Sequence, residues 1–192
     1  MKAAERLVQH VCQRILKKHG RLLEELGRRL TVPNIPFKRF THQEAVDLLR
    51  SRGFNIEAEK EIPWEEEKAI SAMFNEPFFI TDYPITARGF YDREDAERLG
   101  ILRDFDLLYP EGFGEAVSGA EREHTYEAVV KRMRLTGEDP ANYDWYLEML
   151  KAGIRPSAGF GIGVERLTRW ICGLTAVWEA VPFPKVPGIA SP

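Results

Sequence analysis

Two glycine-rich segments with charges at matching offsets carry the chemistry of this 192-residue chain: Glu115-Ala-Val-Ser-Gly-Ala-Glu-Arg122 and Gly159-Phe-Gly-Ile-Gly-Val-Glu-Arg166. Glycine lets a backbone approach a ligand closely, and arginine presents a planar fork of donors suited to phosphate, carboxylate or a stacked base. An arginine closes each segment. Just upstream, Phe105-Asp106-Leu107-Leu108-Tyr109 supplies a second carboxylate. Asp106 and Glu115 therefore stand on neighbouring extended pieces, as a Mg²⁺-phosphate site requires. Together these groups can hold a nucleotide and its metal without a Walker or Rossmann loop. Each also has a plainer reading. Asp106 and Glu115 can be ordinary strand-end carboxylates, Arg122 and Arg166 surface ion-pair partners, and Ser118-Gly119 a turn. Arg88 is balanced between facing a substrate and lying exposed on a strand. The order of the segments and the apolar helix after the second favour a site.

Positioning those residues falls to an α+β domain. Leu7, Val8, Val11, Cys12, Ile15, Leu22, Leu23 and Leu26 recur at helical spacing between Glu5 and about Arg29, with Gly20 marking a bend or break. Thr31 to Phe37 is a Pro-containing linker. Thr41 and Glu44 form a capping-box pattern before a helix that Gly53 closes, and Pro63 suits the first turn of another helix ending near Asn75. From Pro77 the period changes. Phe78 to Ile80 reads as a strand, Arg88 to Tyr91 as its partner across Pro84, and Ile101 to Tyr109 as a third strand, with charged Asp92 to Gly100 as a surface connection. An extended piece begins at Gly114, and helical patterns return at Tyr126 to Leu135 and Tyr143 to Leu150. Gly159 to Val164 then feeds a helix carrying Leu167, Trp170 and Ile171, capped by Gly173. Val181 to Gly188 holds three prolines and reads as an ordered non-helical tail. The expected architecture is part of an antiparallel sheet with helices packed on one side, residues 1–76 mainly helical and 77–192 carrying the sheet.

Composition narrows the class of function. Thirty acidic against 27 basic residues give a net charge of −3, which gives no support to a nucleic-acid wrapping surface, DNA included, and implies at most a local basic patch. The basic run from Arg14 to Arg29 is offset by Glu24 and Glu25 and reads as a solvated helix face. Cys12 and Cys172 have no metal-ligand or redox spacing and read as buried thiols. His10, His19 and His42 lack a partner at zinc-ligand spacing, and His124 lies just past Arg122. With no membrane-span run and no signal-peptide core, the expectation is a soluble, cytoplasmic protein.

The motifs resemble the C-terminal part of the class II aminoacyl-tRNA synthetase catalytic domain in its aspartyl/asparaginyl branch. The matching stretches are Glu76 to Pro84, Arg88 to Tyr91, Phe105 to Pro110, Gly114 to Arg122, Gly159 to Arg166 and Phe183 to Gly188, and the resemblance covers essentially the whole chain. Gly159 to Arg166 corresponds to the family's third motif. The wording Ser118-Gly-Ala-Glu-Arg-Glu123 and Glu165-Arg-Leu-Thr-Arg-Trp-Ile-Cys-Gly173 most resembles the archaeal asparagine synthetases related to asparaginyl-tRNA synthetase. The resemblance implies an N-terminally truncated antiparallel sheet flanked by helices.

It also implies roles. Arg166 lies against the adenine and γ-phosphate of ATP, Glu115 holds Mg²⁺ with Asp106 in support, and Arg122 grips the β-carboxylate of aspartate. Ser118 and Gly119 line the amino-acid pocket, and Gly161 and Gly163 let the strand pass under the adenosine. The implied reaction is AMP-forming asparagine biosynthesis from aspartate, ATP and ammonia, with tRNA an improbable partner and a homodimer through the N-terminal helix expected. The alternative is an asparaginyl-tRNA synthetase-related paralogue that binds nucleotide or a protein partner without catalysis. The family's His-Gly pair before the third motif is Ser157-Ala158 here. The first motif is not recognisable, and no arginine has a glutamate two positions later, as the second motif requires. The chain reads as starting just downstream of that second motif.

Overall fold

The computed structural model describes residues 1–184, 186 and 188. A five-stranded sheet runs in the order β1 (Lys38–Thr41), β2 (Phe78–Thr81), β3 (Asp104–Tyr109), β4 (Gly114–Arg122) and β5 (Ser157–Ile162). β1 is parallel to β2, and every later neighbour is antiparallel. α1 (Lys2–Glu25) precedes the strands, α2 (His42–Ser51), α3 (Trp64–Ser71), α4 (Tyr126–Thr136) and α5 (Asp144–Lys151) lie between them, and α6 (Val164–Cys172) follows β5. The third-motif segment is thus a strand feeding directly into a helix. Gly173 closes that helix in the left-handed region at φ 69°.

Strand alternation divides the sheet into two apolar faces. Phe79, Leu107 and Val117 pack with Val8 and Cys12 of α1 and Trp170 and Ile171 of α6. Phe78, Ile80 and Leu108 pack with Ala45, Val46 and Leu49 of α2 and Ile70 of α3. Helices therefore cover both faces, correcting the one-sided packing expected. On the second face they cover β1 to β3, and α3 reaches the start of β4 where Gly114 N donates to Ser71 Oγ, leaving the rest of β4 and β5 open beside them. That opening is where the glycine-rich segments meet.

Local sequence explains most boundaries. Glu44 N donates to Thr41 Oγ1 at 3.2 Å and Thr41 N donates to Glu44 Oε2 at 2.7 Å, a complete capping box. The bend in α1 falls at His19, φ −135°, one residue before the glycine that suggested it. Pro63 is the N-cap of α3, just outside its first turn. β1 lies in the part read as helical, because Lys38-Arg39-Phe40-Thr41 shows no apolar alternation and half of it is exposed. Residues 88–91 form no strand. Buried Arg132 of α4 donates to the carbonyls of Ile85, Gly89 and Asp92 at 3.2, 3.0 and 3.2 Å, replacing the sheet partners that segment would otherwise need. A 3₁₀ turn spans Val177–Ala180 and Val181 to Pro184 is non-helical, whereas Lys185 and Pro187 of the expected tail lie outside the described residues. No helix among the described residues is long and apolar enough to cross a membrane.

Candidate functional site

β4 pairs with β5 so that Ser118 opposes Gly161 and Ala120 opposes Gly159. An added Cβ at Gly159 or Gly161 meets nothing within 4 Å, so both present bare backbone on the open face. Gly119 does the reverse. Its Cβ would stand 2.6 Å from Phe160 Cβ, 2.7 Å from the Gly159 carbonyl and 2.8 Å from Phe105 Cζ, so it faces the α1/α6 side. Gly119 therefore does not line the pocket with Ser118; successive residues of a strand point to opposite faces.

The same parity would separate Glu115 from Ser118, but β4 carries a bulge. Leu107 pairs with Val117 and Leu108 with Glu115, which leaves Ala116 as the extra residue. Ser118 opposes Asp106 and Glu115 opposes Leu108, and Asp106 and Leu108 share a face of β3. The bulge thus returns Glu115 to the Ser118 face. Arg166, from the first turns of α6, reaches over and places Nη1 3.1 Å from Glu115 Oε2 and 3.0 Å from its carbonyl. The Gly163 Cα faces the Arg166 stem, where a Cβ would sit 3.4 Å away. Glu115 and Arg166 are together, as a shared nucleotide site needs.

Both open onto a cavity of about 300 Å³ bordered by Glu67 and Lys68 of α3, Arg169 of α6 and Trp178. No sequence pattern pointed to Glu67. It is 5% exposed on the buried face of its helix. Burial first, then the fields of Asp106, Glu115 and Glu61, push its carboxyl up to about 8.

Asp106 sits deeper than a metal-facing carboxylate. It is 1% exposed, and Arg88 Nη2 donates to its Oδ2. Arg88 also donates to Glu61 at 2.6 Å, stands 3.6 Å from Asp104 Oδ2, and lies 3.8 Å over the Tyr83 ring. Arg88 is thus a buried hub for three carboxylates, on a turn where a strand was expected. Asp104 is pushed up to about 7, first by burial and further by Asp92 and Asp106, against the pull of the Tyr83 N–H and Arg88. Asp106 Oδ1, Asp104 Oδ2 and Arg88 Nε are buried without hydrogen bonds, so the hub is incompletely satisfied. Arg122, at the end of β4, pairs with Asp92 at 2.6 Å, lies 4.9 Å over Tyr91 and remains partly exposed. It borders a second cavity of about 750 Å³ walled by Phe90, Tyr91, Tyr143, Trp145 and Tyr146. His124 stands 3.8 Å from Glu123 and joins no group of metal-ligating residues among those described.

A family model described as tRNA synthetases class II (D, K and N) matches residues 1–187. The chain belongs to this family. An asparagine–tRNA ligase of Thermococcus gammatolerans is 38% identical over 192 residues, covering 97% of this chain and 44% of the relative. A crystal structure of asparaginyl-tRNA synthetase from Pyrococcus horikoshii superposes with a TM-score of 0.91 at 35% identity, covering 100% of this chain and 46% of that one. The same enzyme complexed with asparaginyl-adenylate gives 0.90. The chain thus spans under half the length of these relatives and corresponds to the C-terminal part of a class II catalytic domain of the asparaginyl/aspartyl branch. Relatives named as tRNA ligases favour the asparaginyl-tRNA synthetase-related reading over the ammonia-dependent asparagine synthetase. They also remove the ground for treating tRNA as improbable.

Proposed function

We propose that this chain forms the nucleotide and amino-acid face of an asparaginyl-tRNA synthetase-type ligase, with ATP and asparagine as small-molecule substrates and tRNA as acceptor. The observation that carries the proposal is the 3.1 Å contact between Glu115 and Arg166 beside the open backbone of Gly159 and Gly161. When nucleotide enters, Arg166 exchanges its carboxylate partner for phosphate and base, for which a guanidinium suits both stacking and neutralisation. Glu115, released, is the carboxylate that would hold Mg²⁺. Bound there, the ion would offset charge on the phosphates. Ser118 and Arg122 line the amino-acid end. Arg122 donates to the side-chain oxygen and orients the α-carboxylate toward the α-phosphorus. A new O–P bond forms there, and the bond to the leaving pyrophosphate breaks. Asp106 acts through Arg88 as floor of that pocket rather than as a ligand.

Calorimetry with ATP·Mg²⁺ tests the site. The wild-type chain should bind, and Arg166→Ala should weaken binding about 10- to 100-fold, the cost of a charged hydrogen bond of about 1.5–3 kcal/mol. With no Arg-x-Glu motif to organise the α-phosphate, the 192-residue chain alone should show no asparagine-dependent pyrophosphate exchange. Absence of nucleotide binding would overturn the proposal. Exchange with aspartate but not with asparagine, and release of asparagine and AMP once ammonia is added, would restore the ammonia-dependent reading.

A homodimer is proposed through α1, whose Leu7 and Leu22 are exposed along with Leu26 at its C-cap. Sedimentation at tens of micromolar should show a dimer, and a strict monomer would reject it.

A further inference from the structure

Glu67 has no part in the functional reading above, yet it is buried beside the proposed nucleotide site. α3 turns Glu67, Ile70 and Ser71 inward. Ile70 and Ser71 are fully buried with partners: Ile70 packs in the α2/α3 core, and Ser71 Oγ accepts from Gly114 N at 3.0 Å. That last bond pins α3 to β4 one residue before Glu115, which fixes the two carboxylates relative to each other. Glu67 is 5% exposed and borders the same cavity as Glu115 and Arg166. No cationic side chain lies within ion-pair distance of it among the described residues, and Arg88 exerts the weakest of the fields that reach it. The stronger fields that reach it, from Asp106, Glu115 and Glu61, are those of carboxylates, while Lys68, Arg166 and Arg169 border the same cavity without pairing with it. A buried carboxylate facing others is costly unless a cation or a proton neutralises it.

We propose that Glu67 is a second protein ligand of a divalent cation, sharing it with Glu115 across the cavity while nucleotide phosphates supply further oxygens. Mg²⁺ and Mn²⁺ suit such a site, because one or two carboxylates plus phosphate oxygens and water make the octahedral set these ions prefer. Lys68, Arg166 and Arg169 on the same cavity wall balance the remaining phosphate charge. Glu67 takes the supporting place that the sequence suggested for Asp106, which Arg88 occupies instead. The inference rests on the nucleotide site proposed above.

The test is a Mn²⁺ titration of the full chain followed by electron paramagnetic resonance, with and without β,γ-methylene ATP. Glu67→Gln should weaken Mn²⁺ binding in the nucleotide complex about 10- to 100-fold, the range typical for loss of a group supporting a metal. Nucleotide affinity measured in EDTA should stay within about twofold, because no direct phosphate contact is removed. Exposed Glu65→Gln should change neither value. If Glu67→Gln does not fold, Glu67→Asp keeps the charge, moves it back by one methylene and should show an intermediate loss. Wild-type Mn²⁺ affinity in Glu67→Gln or Glu67→Asp would overturn the inference while leaving the nucleotide site intact. Should the wild type bind no nucleotide, the functional proposal fails, and Mn²⁺ alone then decides. Binding that depends on Glu67 would support the ligand role, and no binding would overturn it.

Discussion

Replacing Arg88 with methionine is expected to cost the fold about 3–5 kcal/mol, seen as a lower urea midpoint at unchanged slope, because it strands buried carboxylates without their cation. Asp104 and Asp106 are nearly inaccessible, and Arg88 is the guanidinium that reaches both, along with Glu61. Methionine keeps much of the packing against Tyr83, so the loss reports the charge. Adding Asp104→Asn and Asp106→Asn to Arg88→Met should recover a large share, since the orphaned charges go with the guanidinium. A loss below about 1 kcal/mol in the single variant would show that the carboxylates are neutral in the folded chain and that Arg88 is not their compensation. Because Asp106 opposes Ser118 across the strands, the same variant should also lose the floor of the amino-acid pocket.

The hub shows where the sequence is readable and where it is not. Gly159 to Arg166 is legible as strand, turn and helix because two periodicities meet at a glycine, and the structure places β5 and α6 there. Glu115 and Arg166 follow from motif and spacing. Arg88 does not, because its partners come from separate segments of the chain and a lone arginine before Gly-Phe-Tyr carries no local sign of burial. Arg132 is hidden for the same reason. It satisfies backbone carbonyls more than forty residues upstream, turning a strand-like stretch into a fixed turn. Glu67 sits among Glu65, Glu66 and Lys68 and reads as a solvated face until α3 is rotated onto β4. The bulge at Ala116 is invisible as well, yet it decides which face Glu115 serves. Ser118 and Gly119 are adjacent on a strand, so strand parity alone already turns them to opposite faces of the sheet.

That parity gives the sharpest separation of fold from binding, through alanine at two glycines of the same sheet. Gly119→Ala should destabilise strongly, about 3 kcal/mol or more, because the new methyl would meet Phe160 Cβ, the Gly159 carbonyl and the Phe105 ring at 2.6–2.8 Å. Backbone and Cβ atoms cannot step aside as a flexible side chain can, so β4 and β5 must part. Their separation would carry Arg166 away from Glu115. Gly161→Ala meets nothing within 4 Å and should leave the urea midpoint within about 0.5 kcal/mol. Its methyl would instead stand on the open face opposite Ser118, where the strand approaches adenosine in the proposed nucleotide site. ATP affinity should then fall at least about tenfold in a chain that is otherwise as stable as wild type. Equal stability losses in the two variants would mean that the open face is packed in solution. Unchanged ATP affinity in Gly161→Ala, with wild-type binding intact, would place the nucleotide elsewhere on the domain.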